Sequence, residues 1–308
     1  MSNSPLSIVI INYRQEALTI RFVKNELSKI QLLHKTVIVN NSANGESNEL
    51  LCQELGAVLV DGSSNIDKDK GVFVLPFSDN LGFAKGNNHG AEFCRKKFDS
   101  EYILFTNNDI LIKGNDTVEK LIQKIEEHPE VGIIGPKVIG LDGNLQSPFP
   151  YVSYWKRHIW MYWSTLFYSA EKKKKVFQFD YQEKAQEGFH YYVMGSFFLV
   201  RASDFYKCGM FDPHTFLYAE EPILSERMAA IGKRVYYYPS SEVIHEHGAT
   251  TGKFAKDKRS DWQLESENYY YLTYKHISRF LILMGTLTHK ALKIKGMILR
   301  GYANDLKN

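Results

Sequence analysis

Strand-like and helix-like segments alternate through the first half of this chain, and several of the strands end in asparagine or aspartate. These two observations predict an α/β protein in which βαβ units build a parallel sheet covered by helices on both faces. In such a sheet the carboxyl ends of the strands share one edge, and polar side chains gathered there mark a ligand site.

The first strand is read in "LSIVIIN", Leu6 to Asn12, and a helix follows over about 16–30. "KTVIVN", Lys35 to Asn40, is the second strand and runs into the polar cluster Asn40-Asn41-Ser42. "ELLCQELG" is a short helix and "AVLV", Ala57 to Val60, a third strand. The Gly/Asn-rich "DNLGFAKGNNHG", Asp79 to Gly90, opens a further helix, and an apolar run from Tyr102 then breaks at Asn107-Asn108-Asp109. Beyond it "LDGN", Leu141 to Asn144, signals a tight hairpin turn. An aromatic and basic stretch runs from Tyr151 to Lys175. "HYYVMGSFFLVR" reads as a strand with Gly195 and Ser196 in its middle, a small pair suited to close approach by a ligand. A helix over about 220–231, stopped by Gly232, leads into a last strand and "IHEHG".

Composition narrows the function classes. A net charge of +3 is too small to argue for nucleic acid, but residues 251–308 hold 11 Lys/Arg against 5 Asp/Glu. This local excess suits an anionic surface or substrate. The three cysteines, Cys52, Cys94 and Cys208, are widely spaced and form no CxxC pair, so neither a disulfide framework nor a zinc knuckle is indicated and a reducing compartment fits best. The amino-terminal apolar run is too short for a signal peptide, and no run reaches the length of a membrane span. A cytoplasmic protein is expected, with peripheral membrane contact open.

Four constellations could carry chemistry. Asn107 and Asp109 offer hard oxygen donors to one magnesium or manganese ion, whose other positions phosphate and water would fill. Alone, the tripeptide reads more readily as an Asx turn. Gly82, Gly86 and Gly90 flank a helix start that would favour an anion, although the spacing is neither a P-loop nor GxGxxG, and close packing explains it as well. Glu220-Glu221-Pro222 opens a helix, where acids suit the dipole and a carboxylate could also serve as general base; Arg227 lies within two turns. His245 and His247 lie on one side of an extended segment, a weak zinc signal.

The order of these segments is more specific than any one of them. "SIVIINY", "VIVNNS", "DNLGFAKGNN", "YILFTNNDI", "VGIIGPKV", "VMGSFFLVR" and "GMFDPHTFLYAEEPILSERMAAIGKRVYYYPSSEVIHEHG" resemble the inverting family 2 glycosyltransferases of the GT-A fold, particularly rhamnosyltransferase-like members that build bacterial surface polysaccharides such as capsule or O-antigen. The resemblance covers roughly residues 6–250. It implies a Rossmann-like mixed central sheet flanked by helices, with a nucleotide-binding half (1–110), an acceptor and catalytic half (111–250) and a basic amphipathic helical extension (251–308). It implies a metal-dependent, inverting hexosyl transfer from a UDP- or dTDP-sugar to a saccharide or lipid-linked saccharide.

Residue by residue, the resemblance puts Asn107, Asn108 and Asp109 at the DXD-like metal and diphosphate motif. Asn12, Asn40 and Asn41 fall at the nucleoside, and Asn80, Gly82, Lys85, Gly86 and Asn87 pack on the donor nucleotide. Gly195 and Ser196 lie beside the donor sugar, and Glu221 matches the catalytic base, with Glu220 as its alternative. His245 approaches the metal, and Arg227 is a candidate partner for phosphate. Asn107 departs from the first Asp of DXD, Asn40 from a base-reading Asp, and Glu221 from Asp by one methylene. The competing expectation is a catalytically silent nucleotide-sugar or glycan-binding module on the same fold.

Overall fold

The computed structural model describes residues 5–41, 44–60, 71–161, 179–246 and 256–305. The strands are β1 (Leu6–Asn12), β2 (His34–Asn40), β3 (Val58–Leu59), β4 (Val72–Pro76), β5 (Tyr102–Thr106), β6 (Ile110–Lys113), β7 (Val131–Gly140), β8 (Gly188–His190), β9 (Phe197–Arg201) and β10 (Arg234–His245). They form one sheet in the order β3-β4-β2-β1-β5-β9-β7-β10-β6, with β8 beside β10. The helices are α1 (Glu16–Arg21), α2 (Gly45–Leu55), α3 (Gly82–Lys97), α4 (Thr117–Glu127), α5 (Phe179–Lys184), α6 (Ala202–Lys207), α7 (Glu220–Ala230), α8 (Lys256–Thr273) and α9 (Arg279–Asp305).

The sheet is parallel from β3 to β5, and β7 and β10 also run parallel to each other. β9 then enters antiparallel between β5 and β7, and β6 pairs antiparallel with β10. The parallel run is the one expected from the βαβ alternation of the first half, and the antiparallel strands beyond it make the mixed sheet of the resembled fold. Both faces are covered as expected. On β1 the side chains of Leu6, Ile8 and Ile10 enter one core, while Val9 enters the other with Val37, Phe105 and Phe198.

Two elements differ from the sequence reading. The expected long helix narrows to α1, then a π turn over Phe22–Glu26 and a 3₁₀ turn over Leu27–Lys29. The buried Glu26 carboxylate explains the local geometry, since it accepts from the Ile112 amide at 2.6 Å and from Lys29 at 2.7 Å. The second difference lies at Gly195 and Ser196, which are not inside a strand. β9 begins after them at Phe197, opposite Thr106 of β5, so the small pair forms the turn that delivers β9 to the sheet. The LDGN hairpin forms as expected, with Gly143 donating to the Gly140 carbonyl at 2.9 Å.

Close packing accounts for the glycine-rich start of α3. A Cβ on Gly90 would strike Val9, and one on Gly86 would lie 3.1 Å from Ile11. Gly82 has φ +76 and sits against the Phe216 carbonyl, a place and conformation that side chains rarely occupy.

Candidate active site

The edge formed by the ends of β5, β9 and β10 opens into a cavity of about 380 Å³. Into it project Asn107, Asp109, Gly195, Ser196, Glu220, Glu221 and His245. These residues come from four separate stretches of sequence, and the strand order explains how they meet. β10 pairs with β6 so that His245 lies opposite Ile110, next to Asp109. β9 pairs with β5 so that the Asn107 amide donates to the Ser196 carbonyl at 2.9 Å. α7 begins at the cavity and carries Glu220 and Glu221.

Asn107 and Asp109 face the cavity, whereas Asn108 turns inward and donates to Thr19 Oγ1 at 2.8 Å. Thr19 in turn donates to Asn12 at 2.8 Å, Asn12 to Asn40 at 2.9 Å, and Asn40 to Ser47 at 2.9 Å. Asn12, Asn40 and Asn108 therefore form a buried polar chain beneath the strand ends and do not line the cavity. Asn41 and Asn80 organise the start of α3, where Asn80 Oδ1 accepts from the Gly82 amide at 3.0 Å. Asn87 donates to the Phe83 carbonyl and Lys85 is exposed. Arg227 lies away from the cavity, tied to the Gly209 and Met210 carbonyls at 2.9 and 2.7 Å. His247 lies outside the described residues.

Four buried polar atoms without a hydrogen-bond partner belong to residues of this cavity: Asp109 Oδ1, Ser196 Oγ, Glu220 Oε1 and Arg259 Nε. Buried polar groups are almost always satisfied in native proteins, so their concentration here marks a place built for a ligand. His245 Nε2 lies 3.3 Å from Asp109 Oδ1, outside good hydrogen-bond geometry, while its Nδ1 meets Gln146 Oε1 at 2.8 Å. With Nδ1 carrying the hydrogen for Gln146, the Nε2 lone pair faces a carboxylate, an arrangement that a cation held between them would suit. The donor set of one carboxylate, one imidazole and the Asn107 amide fits a divalent ion in part. No cluster of three or more His, Cys, Asp or Glu side chains suited to a metal occurs among the described residues. Oxygens of a bound diphosphate would have to complete the shell.

The acids of α7 are poised differently from each other. Burial pushes the Glu220 carboxyl well above its usual range, and the neighbouring Glu221 charge adds to the rise. Burial also raises Glu221, opposed by its own backbone amide and by that of Gly195, which donates to Oε1 at 3.1 Å. Tyr218 and Ala219, just before the acids, have φ +76 and +65, a left-handed conformation that costs energy outside glycine and that clusters at functional sites. Gly195 is required by contact, because a Cβ there would lie 3.0 Å from Cγ and Cδ of Glu221 and overlap Oε1.

The remaining wall was visible in the sequence only as aromatic density. Phe149, Tyr191, Tyr192, Tyr270 and Tyr271 line it, together with Arg157, Arg259, Gln263 and Glu267. Arg157 pairs with Glu267, and His158 lies 3.0 Å from the same carboxylate. Burial would raise Glu267, but the Arg157 charge and the bonds from His158 and Arg157 hold it well below the usual range. Gln146 was not anticipated either; its only sequence signal is its place just after the LDGN turn.

The strand ends of this mixed sheet thus carry a polar cavity with a carboxylate and an imidazole on one side and two adjacent acids on another. The glycosyl transferase family 2 profile matches residues 7–223, and the chain belongs to that family. Rhamnosyltransferase WbbL of Escherichia coli K12 is 29% identical over 209 residues, covering 66% of this chain and 72% of the relative. An N-acetylglucosaminyl-diphospho-decaprenol L-rhamnosyltransferase of Mycobacterium tuberculosis is 24% identical over 202 residues, covering 59% of this chain and 61% of its own length. Among solved structures, GalNAc-T7 with UDP, GalNAc and Mn2+ aligns with a TM-score of 0.57 at 16% identity, over 89% of this chain and 49% of that one. The mannosyltransferase PcManGT of Pyrobaculum calidifontis, in complex with GDP-Man and Mn2+, aligns at 0.52 and 11% identity, over 99% and 81%. These structures share the GT-A fold with this chain.

Proposed function

We propose that this glycosyltransferase moves a sugar with inversion from a UDP- or dTDP-sugar to a lipid-linked saccharide during cell-surface polysaccharide assembly. The observation that carries the reading is that one cavity holds the Asp109 carboxylate facing His245 on one side and the acids Glu220 and Glu221 on another wall. Inversion needs one base and one stabilised leaving group, in a single displacement at the anomeric carbon. Glu221 is assigned as the base. Burial raises its proton affinity, the direction that suits a general base, and the Gly195 amide fixes its orientation. Burial raises both acids and the Glu221 charge adds to the rise at Glu220, so the pair disfavours two negative charges side by side in the cavity.

Asp109, His245 and Asn107 would hold a divalent ion together with the donor diphosphate, and that ion would supply positive charge against the leaving group. Gln146 orients His245 towards Asp109. The aromatic wall offers flat apolar faces to the sugar rings of the acceptor.

The helical extension is assigned to an anionic membrane surface. No helix among the described residues is long and apolar enough to cross a membrane. α9, however, exposes Phe280, Leu283, Met284, Leu287 and Ile294, a row at helical spacing beside exposed Lys290. On this reading the transfer takes place at the cytoplasmic face of the membrane. A thermal-shift screen of UDP- and dTDP-sugars with and without manganese tests the donor assignment. Stabilisation that requires both together is expected; no response to any nucleotide sugar counts against it.

A further inference from the structure

The charges of the cavity leave one group unaccounted for. Arg157 is paired with Glu267, Asp109 neighbours His245, and the Glu220–Glu221 pair is pushed towards its protonated forms. Arg259 lines the same cavity, yet among the described residues it makes no ion pair or hydrogen bond, and its Nε is buried without a partner. A half-buried guanidinium held in this way costs stability unless a ligand supplies the anion.

Its place in the fold indicates which anion. Arg259 belongs to α8, the helix that also supplies Gln263, Glu267, Tyr270 and Tyr271 to the cavity wall, and not to the strand ends that carry Asp109 and His245. α8 is held in position from several directions. Ser266 donates to the Leu217 carbonyl at 2.9 Å, Tyr269 and Tyr274 donate to Asp212, and Trp262 stacks at 4.7 Å on Phe216. The residues after Arg259 touch α9: Ser260 meets His289 at 3.2 Å and Asp261 accepts from Lys293 at 2.8 Å. Arg259 thus lines the cavity from the one helix whose next residues also touch the helix with the exposed apolar row.

We propose that Arg259 binds a phosphate carried by the acceptor, at the junction of its sugar and its lipid. The inference rests on the reading of the acceptor as lipid-linked. The planar fork of Arg suits a phosphate oxygen pair, and the Nε of Arg259 has no hydrogen-bond partner to give up for it. The donor diphosphate stays with Asp109 and His245.

The test uses the full chain and the fluorescence of its tryptophans, since Trp262 is one turn from Arg259. Farnesyl diphosphate is titrated into protein saturated with UDP and manganese, with farnesol as the phosphate-free control. Arg259→Gln is expected to weaken farnesyl diphosphate about 10- to 100-fold, the range for a charge-assisted hydrogen bond pair, and to leave the UDP affinity and farnesol binding as in the parent. Arg259→Lys should recover part of the loss. Unchanged circular dichroism and an unchanged Tm show that the variant folds, since no hydrogen bond or ion pair among the described residues is removed. The proposal is overturned if Arg259→Gln weakens UDP instead, if UDP and farnesyl diphosphate displace each other, or if the parent protein binds the diphosphate no better than farnesol. Failure of the parent to bind UDP would contradict the donor assignment, and the lipid titration without nucleotide then still reads Arg259 by itself.

Discussion

Gly195→Ala isolates the positioning of the base from its chemistry. The added Cβ would lie 3.0 Å from Cγ and Cδ of Glu221 and nearer still to Oε1. Ordinary carbon contacts are about 3.5–4.0 Å, so the carboxylate must retreat by roughly 0.5–1 Å or the turn before β9 must shift. Either movement strains the 3.1 Å bond from the Gly195 amide. Overpacking of this kind costs about 1–3 kcal/mol of stability. Misplacing a reacting group by about 1 Å can cost about 100-fold in turnover. The assay is release of nucleoside diphosphate at saturating donor, beside a thermal melt and a donor titration. Turnover should fall about 100-fold while donor affinity stays within a few fold, since Asp109 and His245 are untouched. Full turnover in a stably folded Gly195→Ala would refute the assignment of Glu221 to a fixed, amide-oriented role.

Three further outcomes are expected. The folded-state affinities of Glu220 and Glu221 for protons exceed their unfolded values, so their contribution to stability is present below about 4.5 and is lost as pH rises through the raised values. Glu220→Gln should therefore gain stability relative to the parent at pH 8 more than at pH 5 in parallel melts. Asp212 runs the other way: burial alone would raise it, but bonds from Tyr274, His214 and Tyr269 outweigh that and hold it at about 2, so Asp212→Asn should lose its stability deficit as pH falls towards that value. Glu267→Gln strands the Arg157 guanidinium and should cost about 3 kcal/mol by denaturant melt, while joint replacement of Arg157 and Glu267 by methionine should cost less.

Much of the fold was legible because it rests on local signals. The continuous apolar runs of β1 and β2, the LDGN turn and the Gly232 stop each express a backbone preference that their residues carry alone. Asp109, Glu221 and His245 were legible through the order of motifs, and the structure brings them into one cavity. What stayed hidden depends on distant partners. Asn12, Asn40 and Asn108 look like ligand contacts at strand ends, but Thr19 and Ser47 occupy their side chains from other segments. The antiparallel insertion of β9 is set by its neighbours β5 and β7, and no residue within "FFLVR" encodes direction. β4 escaped notice because its short apolar run lies between polar stretches. Arg157 and Glu267, far apart in sequence, gain meaning only once α8 packs on the aromatic segment.

The central claim is that Glu221 takes the acceptor proton in a cavity whose donor end is Asp109 and His245. Its most direct measurement compares Glu221→Gln with the parent for acceptor-dependent release of nucleoside diphosphate and, separately, for donor binding. Loss of the base should lower turnover by about 100- to 10,000-fold, or roughly 3–5 kcal/mol, with the donor dissociation constant unchanged. Turnover that survives in Glu221→Gln and disappears in Glu220→Gln would move the base to the neighbouring acid, and a parent protein that binds nucleotide sugar but never releases diphosphate would contradict the account.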